Sequence, residues 1–203
     1  MYNTLLKFED CHQREKIISH LIDINGQVSD IKPCRKVILS GSFNPIHEGH
    51  RRLAQVSGKL LKLPYFFELS ISNVDKNVIP YKELCRRLDQ FKGIGNIFIT
   101  NARTFLEKSK IFENTVFAVG YDTAVRLFDK NYYDKSINIE HIFDVIENNK
   151  CTFIIGGRKV ESSFKTKSDI IIPKKFSHLF KEITEKEFRT DISSAKIRDE
   201  LIK

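Results

Sequence analysis

A doubly wound α/β fold, with a mainly parallel sheet and helices on both faces, is what this 203-residue sequence predicts. Three observations carry it. Short apolar runs without polar alternation recur along the chain, as in strands buried on both faces. Segments of helical period stand between them. Turn residues (Gly, Pro, Asn) fall at the joins. Strands and helices in alternation assemble as β-α-β units around a parallel sheet.

In chain order, residues 1–35 read as an N-terminal extension. Ile17, Ile18, Leu21, Ile22 and Ile24 lie at helical spacing and predict an amphipathic helix over 14–24, ended by Asn25-Gly26. Pro33 marks the loop into the main domain, 36–203. Val37-Ile38-Leu39, bounded by Ser40-Gly41, is its first buried strand. A helix over 48–61 follows, stopped by Pro64. Further strands are expected over 66–71, 97–100, 115–119, 151–155 and 170–172, and helices over 82–91, 123–128, 139–147 and 193–202. Residues 131–138 (NYYDKSIN) read as an irregular loop. In such a Rossmann-like sheet ligands sit beyond the carboxyl ends of the strands, where strand order reverses, so the informative residues follow each strand.

Composition bounds the class. With 41% hydrophobic and 30% charged residues, sixteen Phe and no Trp, the chain has the make-up of a globular protein, which excludes disorder, collagen and a disulfide scaffold. The net charge of +8 favours an anionic partner. Residues 158–203 and 1–157 contribute +4 each, so the excess is no polybasic arm, and neither a membrane nor a nucleic acid is expected. Cys11, Cys34, Cys85 and Cys151 form no CxxC pair and read as buried thiols in a reducing compartment. The start of the chain lacks the apolar core of a signal peptide and no apolar run nears 18 residues, so a cytoplasmic protein is expected.

The first strand is followed by Ser40-Gly41-Ser42-Phe43-Asn44-Pro45-Ile46-His47-Glu48-Gly49-His50. Gly41 and Ser42 leave the strand tip nearly bare, so backbone N–H groups can approach a phosphate beside a helix N-terminus. His47 and His50, three apart at a helix start, share a face and can donate hydrogen bonds to phosphoryl oxygens as charge develops. The spacing H-E-G-H excludes the H-E-x-x-H of zinc proteases, and the P-loop pattern is absent.

GSFNPIHEGH resembles the G-x-F-x-P-x-H-x-G-H signature of the nucleotidyltransferase superfamily of nicotinamide-nucleotide adenylyltransferases and cytidylyltransferases. Asp191-Ile192-Ser193-Ser194-Ala195-Lys196-Ile197-Arg198 is similar to that family's I-S-S-T-x-I-R, with Ala195 where Thr is usual. The resemblance covers about 36–203. It implies that Gly41, Ser42, Phe43, Ile192, Ser193 and Ser194 contact the nucleotide and that His47 and His50 bind its phosphates. It also places a phosphate-binding lysine in the region of Lys76, which reads equally as a solvated lysine, and Gly120 and Asp122 at the ribose or metal region. On their own chemistry, Ser193 and Ser194 cap a helix and can hold a triphosphate, while Arg198, one turn on, offers a fork to phosphate. Asp122 reads equally as a helix cap, and Arg158 as a ligand of the second substrate's phosphate or as an exposed arginine after a Gly156-Gly157 turn. VGYDTAVRL, NYY and GGR resemble a branch of the family linked to pyridine-nucleotide metabolism.

The expected activity is transfer of AMP from ATP to NMN or nicotinate mononucleotide with release of pyrophosphate, Mg²⁺ bridging phosphates with few protein ligands and no dedicated metal site. The alternatives are CTP with a phosphorylated alcohol, a nucleotide-binding protein that Ala195 has left without turnover, or RNA binding on a basic surface, against which the chain offers no room for an anticodon domain and no K-M-S-K-S. Homo-oligomerisation stays open.

Overall fold

The computed structural model describes residues 19–29, 34–72, 79–129, 138–192 and 194–201. Ten strands occur among them: β1 (Ser19–Ile22), β2 (Val28–Ser29), β3 (Lys36–Ser40), β4 (Tyr65–Ser70), β5 (Ile97–Thr100), β6 (Thr115–Gly120), β7 (Thr152–Gly156), β8 (Arg158–Val160), β9 (Ser163–Lys165) and β10 (Phe180–Ile183). The helices are α1 (Glu48–Leu61), α2 (Tyr81–Asp89), α3 (Phe105–Ile111), α4 (Tyr121–Arg126), α5 (Ile139–Asn148) and α6 (Ser194–Leu201). Eight strands form one sheet in the order β10-β7-β6-β3-β4-β5-β1-β2, and β8 and β9 form a separate hairpin. From β10 to β5 every pairing is parallel; β1 joins β5, and β2 joins β1, antiparallel. This is the doubly wound sheet expected.

Burial on both faces explains the unbroken apolar strands. Leu39, Phe67, Leu69 and Ile99 point into one core, under α1 with Leu53 and Ala54 and α2 with Leu84 and Leu88. Ile38, Phe66, Phe98, Phe117 and Phe153 point into the other, under α5 with Ile142, Phe143 and Ile146. Much of the phenylalanine lies here: Phe153 stacks on Phe180 at 4.9 Å and 9°. Helix starts follow chemistry, Thr104 Oγ accepting from the Glu107 N–H of α3 and Asn138 Oδ1 from the Glu140 N–H of α5.

Three expectations are corrected. Of the cysteines expected to be buried, Cys34 is exposed and Cys85 half-buried, and among the described residues Cys151 alone is buried. The amphipathic helix over 14–24 is not formed by its described part, 19–24: β1 lies there, with Leu21 in one core and Ile22 in the other. Asn25-Gly26 is a hairpin turn, Gly26 taking φ 82° while the Asp23 carboxylate accepts from the N–H groups of Asn25 and Gln27. The strand expected over 170–172 is irregular, Ile171 being 94% exposed. The edge position beside β7 goes to β10 instead. The loop expected over 131–138 lies outside the described residues apart from Asn138. No helix among the described residues is long and apolar enough to cross a membrane.

Candidate active site

β3 is the strand at which the order reverses: β4 and β5 extend from it on one side, β6 and β7 on the other. Beyond the tips of β3 and β6 the connecting backbones diverge and leave a crevice. It holds a cavity of about 420 Å³.

The 41–47 loop forms one wall. Phe43 takes φ 44° and is fully buried, its ring edge-on to His50, Phe67 and Phe91 at 5.1, 5.8 and 5.0 Å. Phe43 thus anchors the loop from below rather than lining the cavity. A Cβ on Gly41 would come within 2.8 Å of that ring, which explains the glycine. α2 grips the loop from outside. Arg86 Nη2 donates to Asn44 Oδ1 at 2.6 Å and Arg87 Nη1 to Ser42 O at 3.0 Å. Gln90 donates to Phe43 O at 3.2 Å and accepts from the Ile46 N–H at 3.0 Å. Glu83 holds both arginines at 2.7 Å, and its hydrogen bond from Arg86 keeps the carboxyl down at about 2.

His47 is the N-cap residue of α1, and its ring stacks on that of His50 with centroids 3.8 Å apart. The His47 backbone N–H donates to His50 Nδ1 at 3.3 Å. That bond assigns the proton of neutral His50 to Nε2, leaving an N–H donor there. Burial lowers both side chains below the usual histidine range, His50 to about 3 with help from the neighbouring His47. Both rings are therefore neutral at pH 7, and His47 Nδ1 is buried without a hydrogen-bond partner among the described residues. Gly49 admits the Thr190 hydroxyl, which would lie 2.8 Å from a Cβ there.

The two sequence motifs meet. Ser194 Oγ donates to Pro45 O at 2.9 Å, and Arg198 Nη1 to Asn44 O at 2.5 Å. Ser194 and Ile192 line the cavity. On the opposite wall Gly120 is the N-cap of α4, and Asp122 makes an ion pair with Arg158. Gly157 lets β8 leave the sheet closely, since a Cβ would sit 2.6 Å from Lys165 O.

The structure thus gathers Gly41, Ser42, His47, His50, Gly120, Asp122, Arg158, Ile192 and Ser194 around one cavity. Phe43 lies beneath it and Arg198 reaches the loop's backbone. Lys76 and Ser193 lie outside the described residues. Sequence reasoning missed Arg103, Thr104, Lys108 and Arg126, which also line the cavity. Arg103 and Thr104 follow β5, so the rule about strand ends applied to them; Lys108 belongs to α3, a helix that no periodicity announced. Among the described residues no three His, Cys, Asp or Glu side chains converge as a metal site.

A family model described as cytidylyltransferase-like matches residues 38–200. Comparison with the curated proteins finds no significant match. Among solved structures, the chain is similar to Plasmodium falciparum nicotinic acid mononucleotide adenylyltransferase complexed with NaAD, at 17% identity and a TM-score of 0.46 over 81% of this chain and 82% of that one. For the same protein complexed with APC the identity is 16% and the TM-score 0.44, over 82% and 83%.

Proposed function

Because the chain belongs to the cytidylyltransferase-like family, we propose that its cavity joins the AMP portion of ATP to NMN or nicotinate mononucleotide. The observation that carries this reading is the neutral, stacked His47–His50 pair at a helix start, on a loop clamped by α2 and completed by Ser194. Such a site is made of donors: imidazole N–H, backbone N–H and hydroxyl groups. It suits phosphoryl oxygens.

The acceptor phosphate oxygen attacks the α-phosphorus of ATP in line. One P–O bond forms, the bond to the β-phosphate oxygen breaks, and pyrophosphate leaves with the electron pair. The nucleophile is already anionic, so no side chain has to remove a proton, and catalysis is positioning with charge stabilisation. His50 Nε2–H and His47 donate to the oxygens on which charge grows. Ser193 and Ser194 fix the phosphate tail, Ser194 through the backbone N–H of the helix start because its hydroxyl proton goes to Pro45 O, and Lys76 and Arg198 take the departing pyrophosphate. Gly120, Asp122 and Arg158 form the nucleoside side. The donor set fits Mg²⁺ brought in on the triphosphate, since Asp122, the one carboxylate lining the cavity among the described residues, is paired with Arg158.

Pyrophosphate release is measured with ATP or CTP against NMN, nicotinic acid mononucleotide, phosphocholine and glycerol 3-phosphate. Release with ATP and a pyridine mononucleotide is expected. Release with CTP and a phospho-alcohol replaces the adenylyl reading. Silence with every pair removes the enzyme. His50→Ala should lower turnover about 100-fold or more, the usual cost of a lost oxyanion donor, with an unchanged circular-dichroism spectrum.

A further inference from the structure

One wall of the cavity holds a buried charge pair that this chemistry does not use. Glu68, on β4, is fully buried, and its Oε2 lies 2.8 Å from the ammonium of Lys108 on α3. Its Oε1 accepts from Thr100 Oγ, on β5, at 2.6 Å. Ser40 is the register partner of Glu68 across β3 and β4, so both side chains leave the same face of the sheet. Ser40 Oγ is buried with no hydrogen-bond partner among the described residues, and Ser40 and Lys108 line the cavity.

A buried ion pair is a poor device for stability, because apolar side chains of similar volume commonly serve the fold as well or better. An ammonium also carries three donors. The Glu68 carboxylate faces it as an ion pair, Oε2 itself having no hydrogen-bond partner among the described residues, and the Phe105 ring lies 5.2 Å away. The ammonium, on a side chain only 9% exposed, and the unpartnered Ser40 hydroxyl both belong to the lining of the one cavity. Polar groups left open at a cavity wall are available to a ligand that enters.

We propose that Lys108 binds an oxyanion of the acceptor substrate, with Ser40 Oγ adding a hydrogen bond, and that Glu68 and Thr100 are positioning residues for the ammonium. This rests on the cavity taking an anionic acceptor, as read above. Glu68 balances Lys108 while the site is empty of acceptor; Arg103, exposed and lining the same cavity, offsets the further negative charge that the acceptor brings. The oxyanion is the acceptor's phosphate or, in nicotinic acid mononucleotide, its carboxylate.

Steady-state kinetics of Lys108→Met with both mononucleotides test this. The acceptor KM should rise tenfold or more while the KM for ATP stays within twofold, and Lys108→Arg should recover part of the loss. Equal rises for both acceptors assign the oxyanion to the phosphate; a rise confined to the acid assigns it to the carboxylate. Should Lys108→Met fail to fold with Glu68 left buried alone, the Glu68→Gln/Lys108→Met double variant removes both charges and is read in the same way. An unchanged acceptor KM, or a rise for ATP instead, overturns the inference and leaves the pair structural. A wild-type protein that neither turns over nor binds either mononucleotide by calorimetry overturns the proposed function, and this inference with it.

Discussion

His50 shows what burial does to a single side chain. Held at about 3, it stays neutral in the fold down to low pH, whereas in the unfolded chain it protonates near 6.5. Between those values the unfolded state binds the extra proton. Stability is therefore complete above about 6.5 and falls as the pH falls toward 3. At pH 5 the loss from His50 alone is on the order of 2 kcal/mol. Thermal melts at pH 7.5 and 5.0 should show His50→Gln losing less than the wild type over that interval; equal losses would mean an ordinary histidine. The residues most legible in the sequence are those that chemistry marks one by one: His47 and His50 at a helix start, Gly41 and Gly120 at strand tips. Phe43 was legible as part of a motif but not as a buried anchor, because only the fold shows that its ring sits under His50. Glu68 and Thr100 were hidden for a related reason, being polar residues in strands that carry apolar neighbours.

At the scale of elements, α2 is the buttress of the 41–47 loop, through three side chains that reach the loop across 42 to 47 residues of sequence. Gln90→Leu removes the bonds to Phe43 O and the Ile46 N–H. It should cut kcat/KM about tenfold or more, since misplacing a catalytic group by an ångström costs up to 100-fold, while the far-ultraviolet spectrum stays native. Gly156→Ala places a Cβ 2.6 Å from Leu53 and 3.0 Å from Phe188. It should cost about 1–3 kcal/mol by overpacking, read as a lower denaturation midpoint. Elements with one clear period were legible: the helix over 48–61 and the strand over 97–100 stand where expected. Short elements were not. The apolar spacing of residues 17–24 suits a helix as well as a strand with one residue in each core, and β10, reading Phe-Lys-Glu-Ile, has no apolar run at all.

At the scale of the molecule, the β1–β2 hairpin covers the β5 edge of an otherwise parallel sheet. Deleting residues 1–29 uncovers that edge and removes Leu21 and Ile22 from both cores. A lower melting temperature and concentration-dependent light scattering should follow, as open edges pair between molecules. The sheet order itself was beyond the sequence, since no local pattern tells a strand which neighbour it will take. The bond from Ser194 to Pro45 has a kinetic consequence. It joins positions 149 residues apart, and contacts of such separation form after local ones, because loop closure has first to be overcome. On the proposed function, refolding should therefore produce a chain with native backbone signal before its nucleotide site is complete. In a stopped-flow experiment, fluorescence from a bound ATP analogue should lag behind circular dichroism.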